Sequence, residues 1–498
     1  MKKTLIFSIL FALAAFQVAA QNEMDALRYS FIEPGGTARF TSMGGAFGSL
    51  GADFSALTIN PAGIGVFRSS EISITPSLGY HAIETNLFGT MEDDMLYNVN
   101  LNNIGVVFSI PARRRDEGGW QFINIGFGMN RHNNFNGRWT AEGFNTSSSL
   151  MTSFLERAKN ETRRDINNLD LLDDFTTGLA WDTYLIDWDD DVGEFFVDMA
   201  EGNVLQRMEV KNAGSIREFQ ASVGANYNDV FYIGASFGLP SVSYEYSSIF
   251  VESDPDNNSP FFNSLTYTNK YTTTGTGFNF KVGGMVRVAD IVRLGAAFHT
   301  PTFFNLKDSY RTSMRSDLDL DPVSYPDYDE SARFAESPRG EFEYELHTPM
   351  KAIGSLGLVF GTRGLVSMDY EYIDYTKARL RSDDYMFTSE NNMIRNTLAT
   401  QHNIRLGGEL RLEPVIIRAG YGFYSNPYQE GVNDGSRNVI SAGFGFRDRN
   451  YAIDFSYAYS FFSEDYALYT IEDQAIPLPI AQRDFSSSAF RVTLAWRF

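Results

Sequence analysis

The chain contains no cysteine and only five histidines among its 498 residues. Disulfide staples and thiol catalysis are therefore excluded. His81, His132, His299, His347 and His402 include no pair at helix spacing and no HExxH, so the zinc-site signature is missing. Haem would need only one histidine as ligand, but no second residue points to it. Basic residues are scarce beside acidic ones: 41 Lys and Arg against 62 Asp and Glu give a net charge of −21. That balance argues against nucleic acid as a partner. Beyond the N-terminus there is no run of about 20 apolar residues, the length a helical membrane span needs. No Pro-rich or low-complexity linker divides the chain. No cofactor, metal or enzymatic activity is expected.

Aromatic residues are abundant, with 42 Phe and 26 Tyr, and so is glycine, also 42. The chain opens as a secretory signal over residues 1–20. Lys2 and Lys3 form the charged region, Leu5 to Phe16 the apolar one, and Val18-Ala19-Ala20 the small residues before a cut at Gln21. Much of the remainder alternates with period two. In Phe219 to Tyr227 one face carries Phe219, Ala221, Val223, Ala225 and Tyr227, the other Gln220, Ser222, Gly224 and Asn226. Tyr451 to Phe461 and Val366 to Tyr372 repeat the pattern, which means half-buried strands. The polar faces carry charges (Arg405, Glu409, Arg411, Arg418, Arg491 and Arg497), and the apolar faces carry aromatics at strand ends. Charges inside and aromatics outside suit a barrel in lipid. Lipid tolerates no open sheet edge, so such strands must close on themselves. Short turns near 226–229, 289–290, 362–364, 412–414 and 447–450 alternate with long polar stretches at 138–213, 249–269, 309–341, 379–398, 426–437 and 462–485. Counting between them predicts an all-β, antiparallel transmembrane barrel of about 14 strands.

Thr41 to Val66 fits neither pattern. Its glycines each weaken a helix by about 1 kcal/mol relative to Ala, and its apolar residues do not alternate. Met43-Gly44-Gly45-Ala46, then Asp53-Phe54-Ser55-Ala56, then Asn60-Pro61-Ala62-Gly63 resemble the N-terminal hatch of the FadL/TodX family of outer-membrane transporters. Val292 to Phe298 with Thr300-Pro301, and Ile417 to Phe423, are similar to strand endings of that family. The resemblance implies a hatch at 21–68 inside a barrel at 69–498, with a large extracellular loop at 138–213 that departs from the family. It also implies the outer membrane of a Gram-negative bacterium, and passive uptake of hydrophobic small molecules such as long-chain fatty acids or aromatic hydrocarbons. The lipid bilayer and the outer-membrane assembly machinery would be the other partners.

Candidate ligand contacts in the hatch are Phe40, Met43, Phe47, Phe54 and Leu57; their alternative role is packing against the wall. Asn60, Pro61, Ala62 and Gly63 are the candidate gate, because an Asn side chain bonds neighbouring backbone while Pro fixes a turn. Trp496 and Phe498, at the end of an alternating terminal strand, are the candidate assembly signal. In the large loop, Leu150, Phe154, Leu155 and Ala158 share a helical face, and Leu179-Ala180-Trp181, Tyr184-Leu185-Ile186 and Phe195-Phe196-Val197 are apolar. They serve either to capture ligand or to pack the rim. Asp321, Asp327, Asp329 and Glu330 offer oxygen ligands for a divalent cation, or a solvated loop. Two other functions remain open: a surface barrel acting as a shuttle, anchor or interaction component of secretion, and a barrel hydrolase with a Ser/His/Asp cluster at its outer rim.

Overall fold

The computed structural model describes residues 23–33, 35–112, 118–197, 202–321 and 323–498. The expected signal segment and its cut at Gln21 lie outside these. Fourteen antiparallel strands form the wall. They are β1 (Glu71–Leu87), β2 (Thr90–Pro111), β3 (Trp120–Asn134, continued as Gly137–Asn145), β4 (Val204–Tyr227), β5 (Phe231–Ser253), β6 (Phe262–Arg287), β7 (Val292–His299 and Phe303–Leu318) and β8 (Gly340–His347 and Lys351–Val359). There follow β9 (Gly364–Asp374, continued as Arg379–Arg381), β10 (Thr400–Leu412), β11 (Val415–Tyr424), β12 (Arg437–Arg447), β13 (Tyr451–Ala467) and β14 (Ile480–Arg497). The sheet closes where β14 pairs with β1, from Glu71↔Arg497 to Asn86↔Gln482. Closure leaves no edge for lipid to meet.

Alternation sorts the side chains as the sequence predicts. Ile72, Ile74, Leu78, Phe219, Val223, Ile233, Phe237, Leu494 and Trp496 face outward, while Arg405, Glu409, Arg418 and Asp454 are buried inside. Trp120, Tyr227, Phe231, Phe446, Tyr451, Trp496 and Phe498 are exposed at the short-turn end, the aromatic girdle of a membrane interface. The short turns fall where the sequence puts them.

The long stretches are shorter than the sequence reading has them. Residues 138–145 and 204–213 are strand, so the large loop is a hairpin extension carrying a smaller lobe. β5 likewise runs to Ser253, β6 begins at Phe262 and β13 reaches Ala467. The cause is physical. Along β5 the outer face reads Phe231, Ile233, Phe237, Leu239 and then Ser241, Ser243, Glu245. Above the lipid the outer face turns polar while the inner face carries Val242, Tyr244 and Phe250, so the apolar-out alternation ends before the strand does.

One seam of the wall is incomplete. The β2–β3 ladder stops at Asn103↔Asn130. Above it, the continuation Gly137–Asn145 pairs with β4 instead. Among the described residues, side-chain hydrogen bonds bridge β3 and its continuation to β2 there, Asn98 donating to Asn134 at 3.1 Å and Arg138 to Asp94 at 2.8 Å, and the continuation packs on Ile83 and Leu87 of β1.

Candidate ligand chamber and hatch

The hatch fills the short-turn end of the barrel. Gly44, Gly45 and Gly51 all take positive φ, which only glycine adopts cheaply, so the chain turns repeatedly between short helical pieces. α2 (Ala38–Ser42) is capped by Thr37, whose hydroxyl accepts from the Phe40 N–H. The single turns Phe54–Thr58 and Pro61–Val66 are capped by Asp53 and Asn60. The Thr37 hydroxyl donates to Asp53, tying two caps together. Burial pushes the Asp53 carboxyl above its ordinary range, against the opposing pull of Arg39 and the Thr37 hydroxyl.

Asn60 is the latch between hatch and wall. Its Nδ2 donates to Gly48 O at 2.7 Å and to Gly284 O of β6 at 3.2 Å, and its Oδ1 accepts from Ala62 N at 3.0 Å. The wall meets it with glycine. A Cβ at Gly283 or Gly234 would come closer than 3.0 Å to Asn60 or Pro61. The same holds for Gly295 against Gly48, Gly407 and Gly420 against Met43 and Gly44, Gly443 against Ser42, and Gly105 against Phe54. These glycines belt the barrel at hatch height and let backbone approach backbone. Asp369 of β9 accepts from Phe47 N and Gly48 N at 3.0 Å. Arg39 of α2 reaches Glu409 at 3.3 Å, and Glu409 also binds Arg418 at 2.8 Å, which binds Asp454 at 2.6 Å. Buried charges persist only when paired in this way.

Replacing Asn60 with Ala strands the Ala62 N–H and two carbonyls in a dry interface, at about 1–3 kcal/mol for each orphaned group. Amide exchange over 41–66 should then accelerate while the strand ladders keep their protection. Equal exchange in both proteins would refute the latch.

The predicted ligand contacts are spread over two packed clusters. Phe40, Met43 and Phe47 pack with Leu50, Ile59, Ile353 and Leu365, while Phe54 and Leu57 pack with Ile64, Phe67 and Val107. None of the five predicted contacts is more than 2% exposed. Pro61, Ala62 and Gly63 are buried with Asn60. Trp496 and Phe498 face outward, 57% and 56% exposed.

An apolar cluster filled by the N-terminal segment lies higher in the lumen, and sequence reasoning missed it. α1 (Glu23–Ser30) stands inside the barrel with Ala26, Leu27 and Tyr29 buried against Ile216, Val242, Phe304, Leu346 and Ile373 of the wall. Arg28 pairs with Asp25, and its guanidinium lies 4.5 Å over the Tyr244 ring. α4 (Thr388–Thr397) and Tyr428 complete the enclosure. The available signal was inward-parity apolar residues on strands whose other inward residues are polar. Below α1, Glu218 is held by His132 and Lys281.

In the lobe, α3 (Leu150–Glu161) buries Leu150, Phe154 and Ala158, with Leu155 packed beside them. Leu179, Ala180, Leu185, Ile186 and Phe195 join the same core, as do Trp139 and Phe250 of the strands. Trp181, Tyr184 and Val197 pack against it half-buried. The lobe thus closes the barrel top with its apolar face turned inward. No group of three acidic or histidine residues is placed to hold a metal among the described residues. Asp321 and Asp329 instead accept from backbone of their own turns, Val323 N at 3.1 Å and Ser331 N at 2.7 Å. The letters Gly234-Ala235-Ser236-Phe237-Gly238 match GxSxG, but they lie inside β5, and Ser236 bonds Gln220 and Ser222. A nucleophile elbow needs a strand-to-helix turn, and none is present there.

No family model matches the chain, and no curated protein does. Solved structures do. A FadL homologue of Pseudomonas aeruginosa superposes with a TM-score of 0.58 at 15% identity, over 94% of this chain and 100% of that one. The toluene transporter TodX of Pseudomonas putida superposes with a TM-score of 0.53 at 11% identity, over 93% and 99%. At such identities a likeness speaks for architecture alone. The protein has the FadL/TodX fold, a closed antiparallel barrel of fourteen strands with its N-terminal segment inside.

Proposed function

We propose that the protein is an outer-membrane channel of a Gram-negative bacterium for passive uptake of hydrophobic small molecules, long-chain fatty acids and aromatic hydrocarbons among them. The observation that carries this reading is the apolar lumen lining packed around α1. A water-filled barrel lumen is lined by polar residues, yet Ile216, Val242, Phe304, Leu346 and Ile373 turn inward. An apolar guest that displaces α1 finds a surface already dry. Two routes leave the chamber: the incomplete β2–β3 seam, and the hatch. Phe40, Met43, Phe47, Phe54 and Leu57 meet a guest only when the hatch shifts, and Asn60 to Gly63 are its gate. The names of the similar structures, a FadL homologue and a toluene transporter, support the same class.

The test is uptake of radiolabelled oleate and toluene by cells expressing Ile216→Glu or Leu346→Glu. A carboxylate in the chamber should cut uptake by about tenfold or more, because burying an unpaired charge costs several kcal/mol. Leu346→Ser serves where the acidic variants do not assemble. Unchanged uptake from a normally inserted variant would sink the reading. The lobe of residues 150–197, with an apolar core of its own, favours a second reading, a surface shuttle or anchor for secreted proteins. Wild-type uptake no higher than in cells lacking the protein would favour it.

A further inference from the structure

The tall side of the barrel carries a row of cations on its outer face. Register partners run Arg138↔Lys211, Lys211↔Ser247, Ser247↔Lys270 and Lys270↔Arg311. Arg339 continues the row, since Gly340 pairs with Tyr310 and the Arg339 side chain donates to Ser309 at 2.9 Å. Five cations thus cross six adjacent strand segments, and all five are exposed. Successive positions in such a row are about 5 Å apart. The row stands out in a chain of net charge −21. Arg138, Arg311 and Arg339 each have a carboxylate near them, on Asp94, Glu336 and Glu341. Lys211 and Lys270 have none within ion-pair distance among the described residues. A shallow groove of about 540 Å³ runs along this part of the wall, with Lys211, Lys270, Arg311 and Arg339 in its lining.

The height of the row identifies its occupant. On β4, β5, β6 and β7 the outward residue eight positions nearer the membrane is Phe219, Leu239, Phe278 and Phe303, the top of the apolar band. Eight residues span roughly 26 Å along a strand, or about 20 Å of height at the usual tilt. The rows between are rich in hydroxyls, with Ser241, Ser243, Thr274 and Thr276 among them. A glycolipid whose acyl chains lie against the apolar band would lay its sugars along the hydroxyl rows and its anionic groups at the cations.

We propose that this face binds lipopolysaccharide, with Lys211, Lys270 and Arg311 taking phosphate or carboxylate groups of its core oligosaccharide. The proposal rests on the outer-membrane reading above. Arginine and lysine both bind phosphate, arginine through a fork and lysine as a point charge. The aliphatic stems of both can lie along the wall.

The test is co-purification. Full-length wild-type protein and the triple variant K211E/R311E/K270E are extracted from outer membranes, and bound lipopolysaccharide is measured after detergent washing. The variant should retain at least fivefold less. A single Lys270→Gln variant should show an intermediate loss and guards against misassembly of the triple. Re-addition of purified lipopolysaccharide should restore the signal for the wild type, and the dephosphorylated form should restore less. Vesicles of phosphatidylglycerol provide the other anionic lipid. Equal retention by all variants, or equal binding of phosphatidylglycerol, overturns the proposal. Absence of wild-type protein from outer-membrane fractions would instead overturn the reading beneath it.

Discussion

Deleting Phe498 removes most of the folded, heat-modifiable band from outer-membrane fractions while synthesis and export continue. The expectation starts from the closing seam. Phe498 N donates to Ser70 O at 3.0 Å, directly beyond the Glu71↔Arg497 pair. Its ring meets Phe108 at 6.5 Å and Trp496 at 5.6 Å between centroids. These contacts are modest, and the ring is more than half exposed. Truncation alone should therefore cost little stability, and a charge near the interface costs only about 0–1 kcal/mol. A large loss of inserted protein would then report recognition by the assembly machinery. Phe498→Asp should behave like the deletion, and Phe498→Tyr should keep the band. Wild-type band intensity in the deletion would remove the assembly-signal role from Trp496 and Phe498.

Removing residues 36–60 gives the second large effect, a rise in single-channel conductance. Wall pairing does not depend on the hatch, since every strand is bonded to both neighbours and the seam closes on itself. The ion pairs left behind persist, because Glu409 keeps Arg411 and Arg418, and Arg418 keeps Asp454, while Asp369 exchanges its two hatch amides for water. The barrel should thus insert and stay heat-modifiable. What goes is the material that fills the short-turn end. Conductance steps equal to those of the full-length protein would mean that the lobe or α1 is the obstruction, and the hatch would lose its role as plug.

Much of the wall was legible from the chain alone because its strands obey one rule. Where lipid bathes one face, Phe219, Ala221 and Val223 must alternate with Gln220, Ser222 and Gly224, and a reader can count. The rule fails above the lipid, where the outer face turns polar and residues 249–253 and 262–269 read as loop but are strand. It fails again inside. Gly283 and Gly234 look like weak positions in a strand, and only the docked Asn60 and Pro61 explain them. The hatch was legible as an exception, too glycine-rich for a helix and too irregular for a strand, and it folds as short capped turns. The chamber was not legible. Glu23 to Ser30 is a polar-looking octapeptide, and Ile216, Leu346 and Ile373 are far apart in sequence. Their convergence is a property of closure.

The glycine belt also decides which part of the molecule sets the bore. At that height several wall positions carry no side chain, so an unplugged barrel would be wider there than one lined by side chains throughout. The bore at that height is therefore filled by a short insert of capped turns, while the surrounding cylinder serves as its socket. Substitutions in such an insert can change how that space is filled without disturbing a single strand pair, whereas enlarging one belt glycine forces the insert out of place. The filling of the bore and the closure of the wall are thereby carried by separate stretches of the same chain.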